Sequence, residues 1–105
     1  MTDTEYIRFC VPKAELLAGL AEEAAELAQA ALKYRRALDG KNPTPIMETE
    51  AYAAMLEEVA DVFLYLGVLE IAKAVDVPGP AADLIDRTLL RKTLRWRSRL
   101  DRAGE

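Results

Sequence analysis

The chain contains no histidine, and its 105 residues include a single cysteine, Cys10. The lack of histidine excludes Ser-His-Asp triads, histidine general bases, and the usual histidine-containing zinc and di-iron sites. One cysteine cannot form an intramolecular disulfide, and a chain without a secretory signal is expected in the cytoplasm. Chemistry at any site in this protein therefore depends on other side chains.

Long apolar runs are also missing from the sequence. No stretch of about 18 or more apolar residues occurs, so we expect no membrane span. The net charge is −4, from 14 basic and 18 acidic residues, which argues against binding of a nucleic-acid polymer. With 51% hydrophobic and 30% charged residues, the composition is that of one globular domain covering residues 1–105.

Apolar residues spaced by three and four positions predict three long helices. They cover about residues 13–39, 48–75 and 81–102. Pro12 is suited to the start of the first helix, and Gly40 to the left-handed position after its end. Residues 1–11 are expected to form a short helical turn or an arm. No strand pattern is present, so the predicted fold class is all-α, a bundle of long helices.

The second predicted helix is apolar on nearly every side. Such a helix is normally buried between several partners. Three helices of one chain cannot surround it, so we expect a four-helix core completed by dimerisation, in a homodimer or a dimer of dimers. The apolar run from Val62 to Leu69 is the predicted subunit interface.

Two acidic pairs carry most of the chemical information. Glu23 and Glu26 lie three positions apart on the first long helix, and Glu58 and Asp61 repeat that spacing on the second. Residues at this spacing share a helix face, and consecutive helices joined by a short loop are antiparallel neighbours. The four carboxylates can therefore converge on divalent metal ions. The alternative is that each pair lies on a solvated face.

The sequence segments around these pairs resemble those of a known family. Leu20-Ala21-Glu22-Glu23-Ala24-Ala25-Glu26-Leu27 and Glu57-Glu58-Val59-Ala60-Asp61-Val62-Phe63-Leu64-Tyr65-Leu66 look like helices of the MazG-like all-α nucleoside triphosphate pyrophosphohydrolases. The resemblance covers about residues 13–100. It implies an enzyme that hydrolyses a nucleoside or deoxynucleoside triphosphate to the monophosphate and pyrophosphate.

The resemblance also implies the cofactor and the catalytic residues. Glu23, Glu26, Glu58 and Asp61 would bind the metal and form the catalytic set. An all-oxygen ligand set without histidine points to Mg²⁺, with Mn²⁺ as a possible substitute. The metal ions would hold the triphosphate while water attacks the α-phosphorus. Which of the four carboxylates assists as general base stays open.

Basic residues on the last helix are the predicted phosphate ligands. The family often places such residues there, and the candidates in this chain are Lys92, Arg95 and Arg99. Their spacing of three and four positions puts them on one face. Four positions after Lys92 stands Trp96, where the family frequently has asparagine. The alternative is a solvated or salt-bridging helix face.

The residues that would bind the base are unknown. Tyr34, Tyr65 and Trp96 have aromatic rings, but aromatic residues at helical spacing more often belong to a core or an interface. Lys33 and Lys73 are interpreted as exposed lysines.

Other functions remain open at this stage. A phosphoribosyl-ATP pyrophosphohydrolase and a dUTP/dCTP hydrolase of the same fold use similar acidic motifs. A third possibility is a non-enzymatic helical oligomerisation or adaptor protein, which the all-round apolar second helix favours. This last function predicts no metal binding.

Overall fold

A computed structural model of the chain describes residues 1–40, 46–71 and 80–104. Within these ranges it has four α-helices and no β-strand, so the prediction of an all-α fold is confirmed. The helices are α1 (Asp3–Cys10), α2 (Lys13–Asp39), α3 (Glu48–Val68) and α4 (Pro80–Ala103). In this part of the chain, no helix is long and apolar enough to cross a membrane.

The N-terminal segment forms a true helix, α1, stabilised by a capping box. The Thr2 hydroxyl accepts a hydrogen bond from the Glu5 N–H at 3.2 Å, and the Glu5 carboxylate accepts one from the Thr2 N–H at 3.2 Å. At the other end of α1, the Arg8 guanidinium donates to the Val68 carbonyl oxygen at 3.2 Å. Arg8 also forms an ion pair with Glu70 at 2.9 Å. These contacts hold α1 against the end of α3.

The long helix α2 is bounded by the two residues that the sequence singles out. Pro12 precedes it, and the Pro12 carbonyl oxygen accepts from the N–H groups of Glu15 and Leu16 at 3.0 and 3.1 Å. Gly40 follows its last residue with φ of 68°, and the Gly40 N–H donates to the Arg36 carbonyl oxygen. Only glycine adopts this left-handed backbone without a steric penalty, so Gly40 ends the helix.

The helix α3 ends at Val68, whereas the sequence predicts an end near residue 75. Residues 72–75 of the predicted helix lie outside the described ranges. The cause is a left-handed turn at Glu70, where φ is 59°. The Glu70 and Ile71 N–H groups donate to the carbonyl oxygens of Gly67 and Leu66, at 3.1 and 2.9 Å. The cation of Arg8 stabilises this helix end, where carbonyl groups point outward.

The helices α2 and α3 form an antiparallel hairpin. The rings of Tyr34 and Tyr52 lie 5.4 Å apart between centroids, close to the connection between the helices. At the opposite end, the backbone of Gly19 lies against the Tyr65 ring. Since the first contact joins the end of α2 to the start of α3 and the second joins the reverse, the two helices run in opposite directions.

The buried core of the described residues is small. Its apolar members are Leu16, Ala30, Ala51 and Val68, with 2–9% of their surface exposed. The first and last lie at the α1 end of the hairpin, whereas the two alanines lie near the connection between α2 and α3. Small alanine side chains let the helices approach closely there but bury little apolar area.

The helix α4 buries none of its described side chains. Ile85 is half-buried, whereas six other large apolar residues of α4 are 57–69% exposed; they are Leu84, Leu89, Leu90, Leu94, Trp96 and Leu100. Trp96 is therefore not part of the core of this chain. Large apolar patches that remain exposed usually mark a contact surface.

Gly19 lies inside α2, where glycine lowers helix propensity, and its lack of a side chain lets the Tyr65 ring pack closely against the backbone. A Cβ atom added at Gly19 would lie 2.5 Å from the Cε1, Cζ and hydroxyl oxygen atoms of Tyr65. Helix propensity favours alanine over glycine by about 1 kcal/mol. Overpacking in a tight contact costs about 1–3 kcal/mol. The two effects have opposite signs, and we expect the clash to be the larger because three atoms of the Tyr65 ring have to shift.

We expect Gly19→Ala to lower the free energy of unfolding by about 1 kcal/mol in urea denaturation, because the Tyr65 ring has to move. Adding Tyr65→Ala should remove this penalty, so Gly19→Ala in that background should stabilise. The control is Ala25→Gly on the exposed side of α2, which should cost about 1 kcal/mol through helix propensity alone. Stabilisation by Gly19→Ala in the wild-type background would contradict the close contact.

Candidate metal centre

The hairpin brings the acidic residues of α2 and α3 together. One carboxylate oxygen from each of Glu23, Glu26 and Glu58 lies within 4.8 Å of the others. The i, i+3 spacing puts the first two on one face of α2, and the antiparallel register puts Glu58 opposite them. The structure therefore places three of the four predicted metal ligands in one cluster, which we call the carboxylate cluster.

Asp61, the fourth predicted ligand, is exposed and is not among the three residues within that distance. It lies one helical turn beyond Glu58 on α3. Its charge nevertheless acts on the cluster, since it contributes to raising the pKa of both Glu23 and Glu58. Asp61 is thus a neighbour of the carboxylate cluster in this arrangement of side chains.

The cluster is electrostatically unfavourable without a cation. Partial burial, followed by the charges of Glu26 and Asp61, raises the pKa of Glu23 to about 7. Partial burial, followed by the charge of Glu26, also raises the pKa of Glu58. Like charges held together with little water favour a bound proton or a bound cation.

Two carboxylate oxygens in the cluster have no hydrogen-bond partner among the described residues. They are Oε2 of Glu23 and Oε2 of Glu58, and both atoms are buried. Buried acceptors are normally paired, because an unpaired one loses its hydration without compensation. Buried carboxylate oxygens that lack a partner among the described residues fit a hard divalent cation such as Mg²⁺.

A groove of about 370 Å³ adjoins the carboxylate cluster on the side of the α2–α3 connection. It is lined by Glu26 and Glu58, and further by Gln29, Ala30, Lys33, Ile46, Ala51 and Ala54. Lys33 is exposed, as predicted, and it also lines this groove, whereas Gln29 is not among the sequence-predicted site residues. The signal was present, since these residues lie three and seven positions after Glu26 and so share its face. Lys73 lies outside the described residues.

The predicted phosphate ligands form a separate surface. Lys92, Arg95 and Arg99 lie side by side on α4, together with Trp96 and Leu100, around a shallow depression. None of these residues lines the groove beside the carboxylate cluster. Spacing therefore brings the three cations onto one face, but within one chain the structure does not bring them into the groove.

Two aromatic side chains of the hairpin, Tyr34 and Tyr65, pack against neighbouring residues. The Tyr34 ring packs on Tyr52, with an angle of 49° between the ring planes. The Tyr65 ring covers Gly19 and lines an apolar cavity between α1, α2 and α3, together with Leu16 and Val68. Neither residue lines the groove beside the carboxylate cluster, so the base-binding residues stay unassigned.

Comparisons of the chain with protein-family models, with curated proteins and with solved structures found no match. The chemistry of the carboxylate cluster and its groove is therefore the basis for inferring a function.

The raised pKa of Glu23 predicts how the stability of the folded protein depends on pH. Between the ordinary carboxyl pKa of 4.5 and about 7, the folded state binds more protons than the unfolded state. Stability should therefore fall as pH rises through this window in metal-free protein, as measured by urea denaturation with a chelator present. Saturating Mg²⁺ should reduce the fall, because a cation relieves the same repulsion.

The matched controls are Glu23→Gln and Glu22→Gln, neighbouring substitutions inside and outside the carboxylate cluster. Glu23→Gln should flatten the pH dependence, whereas Glu22→Gln, at an exposed position, should leave it unchanged. Equal pH dependence in the two variants would contradict the electrostatic coupling within the cluster.

Proposed function

We propose that this protein is a Mg²⁺-dependent nucleoside triphosphate pyrophosphohydrolase. The observation that carries the proposal is the convergence of Glu23, Glu26 and Glu58, from two antiparallel helices, with oxygens within 4.8 Å of one another. Two of these residues present buried oxygens with no partner among the described residues. The resemblance of these positions, together with Asp61, to the acidic motifs of the MazG-like enzymes supports the same conclusion.

The chemistry of the ligands supports Mg²⁺, with Mn²⁺ as a substitute. Carboxylate oxygens are the ligands that these hard cations prefer, and the chain has no histidine to favour zinc. Glu23, Glu26 and Glu58 would hold the cation, and Asp61, one turn along α3, would complete the set. When bound, Mg²⁺ neutralises charge on the phosphate oxygens and positions the substrate.

The proposed reaction is hydrolysis at the α-phosphorus of a nucleoside or deoxynucleoside triphosphate. Water forms a bond to the α-phosphorus, and the bond from that phosphorus to the bridging oxygen of the β-phosphate breaks. The products are a nucleoside monophosphate and pyrophosphate. A carboxylate of the cluster takes the proton of the attacking water.

We also propose that the protein is a homo-oligomer, a dimer or a dimer of dimers. On α3, Leu56, Phe63 and Leu64 are 45–51% exposed. The exposed apolar side of α4 adds a further uncovered surface. A small core and two uncovered helix faces favour a four-helix core built from two chains.

Charge supports contact between these surfaces in different subunits. The helix α3 carries five carboxylates and no basic residue, whereas α4 carries seven basic and three acidic residues. Opposite charges favour docking of α4 against the acidic hairpin of a partner chain. In such an assembly, α4 of one subunit would bring Lys92, Arg95 and Arg99 to the phosphates of a substrate bound at the carboxylate cluster of the other subunit.

The enzyme proposal is tested by pyrophosphate release from a panel of nucleoside and deoxynucleoside triphosphates, including dUTP and dCTP, and from phosphoribosyl-ATP. Glu58→Gln should reduce kcat/KM by about 100-fold or more, the scale of losing one catalytic electrostatic group. The matched control is Glu57→Gln, the exposed neighbour outside the cluster, which should keep wild-type activity. Absence of turnover with every substrate, or full activity in Glu58→Gln, would refute the proposal.

The oligomer is tested by light scattering at micromolar concentration. The expected mass is two or four times the 11.7 kDa of one chain. Phe63→Glu should shift the protein toward the monomer, because it puts a charge into the apolar contact, whereas Thr49→Glu at the exposed start of α3 should not. A wild-type monomer would contradict the proposed assembly.

The exposed helix faces also favour a second candidate function, a non-enzymatic oligomerisation or adaptor protein. The two functions differ in their need for a cation. Saturable binding of Mg²⁺ or Mn²⁺ in calorimetry supports the enzyme, and a titration without saturable heat supports the adaptor.

A further inference from the structure

The two ends of the groove beside the carboxylate cluster carry opposite charges. Glu26 and Glu58 stand at one end, where the cluster is, and Lys33 stands farther along α2. The seven positions from Glu26 to Lys33 correspond to two helical turns and a rise of about 10 Å along the helix axis. One end of the groove is therefore suited to a metal ion, and the other presents a fixed cation.

The space in the groove results from small side chains on both helices. Ala30 and Ala51 are buried at its base, with 9% and 2% of their surface exposed, and Ala54 lies on the same wall. Larger apolar residues at these positions would fill the space between α2 and α3, as a stable core normally requires. Among the described residues, the groove thus combines an apolar wall with a few charged side chains, a combination that is common in ligand sites.

Lys33 is available to a ligand. Its side chain is exposed, and it makes no ion pair or hydrogen bond with another described residue. Nearby on the same helix, Arg35 is engaged with Asp39 at 3.7 Å. Lys33 is thus an uncommitted positive charge that lines the same groove as two carboxylates of the cluster.

We propose that Lys33 binds the β- and γ-phosphates of the substrate, the part that leaves as pyrophosphate. This inference rests on the proposed pyrophosphohydrolase function. A triphosphate whose α-phosphate lies at the carboxylate cluster extends along the groove, and its remaining charge is concentrated on the terminal phosphates. A lysine ammonium is a point charge that binds phosphate oxygens well. The uncharged nucleoside gains nothing from Lys33, so the terminal phosphates, not the nucleoside, lie toward it.

The inference is tested by calorimetric titration of the full chain with inorganic pyrophosphate and with nucleoside monophosphates, each with saturating Mg²⁺. Lys33→Ala should weaken pyrophosphate binding about tenfold, the loss expected for one charge-assisted contact. Its affinity for Mg²⁺ alone and for the monophosphates should stay within about twofold of wild type. Lys33→Arg should restore most of the pyrophosphate affinity, because it keeps the charge.

The matched control is Lys13→Ala, an exposed lysine at the other end of α2 that does not line the groove. Wild-type pyrophosphate affinity in Lys33→Ala would overturn the role of Lys33. So would a loss shared equally by monophosphates, or an equal loss in Lys13→Ala. If wild-type protein turns over nucleotides, these results overturn the Lys33 assignment alone. If wild-type protein neither binds Mg²⁺ nor releases pyrophosphate, the proposed function fails, and this inference fails with it.

Discussion

Mutual repulsion of carboxylates held between two helices is the constraint on which the other features of this molecule depend. Glu23, Glu26 and Glu58 have oxygens within 4.8 Å of one another, and two of those side chains have buried oxygens without a partner among the described residues. A stable hairpin alone would be served better by apolar side chains at these positions. The free-energy cost of placing carboxylates at these positions is explained if the hairpin binds a cation. The groove that extends from the cluster to Lys33 would then suit a polyanionic ligand.

Much of the fold follows from sequence periodicity and helix-ending residues, and the rest depends on contacts between distant segments. The three- and four-residue apolar spacing predicts the long helices, and Gly40 predicts the end of α2. The end of α3 was not predictable, because it depends on the left-handed turn at Glu70 and on Arg8, which reaches it from α1. The role of Gly19 likewise depends on a distant residue, because the Tyr65 ring packs against its backbone.

The candidate site, too, is predictable in part from the sequence and depends in part on how α2 and α3 pack. The spacing within each acidic pair fixes which carboxylates share a face, so the sequence indicates Glu23, Glu26, Glu58 and Asp61 as a set. Helix register decides that the first three lie closest together while Asp61 stays exposed. The groove could not be predicted from α2 alone, because Ala51 and Ala54 of α3 line it together with Ala30 of α2.

The central claim is that the carboxylate cluster binds a divalent cation, and anomalous X-ray scattering from crystals grown with Mn²⁺ tests it most directly. We predict an anomalous peak between the carboxylates of Glu23, Glu26 and Glu58, which is absent from crystals of Glu58→Ala grown in the same solution. Ordered carboxylates without a peak between them, at a Mn²⁺ concentration that saturates related oxygen-ligand sites, would contradict the claim.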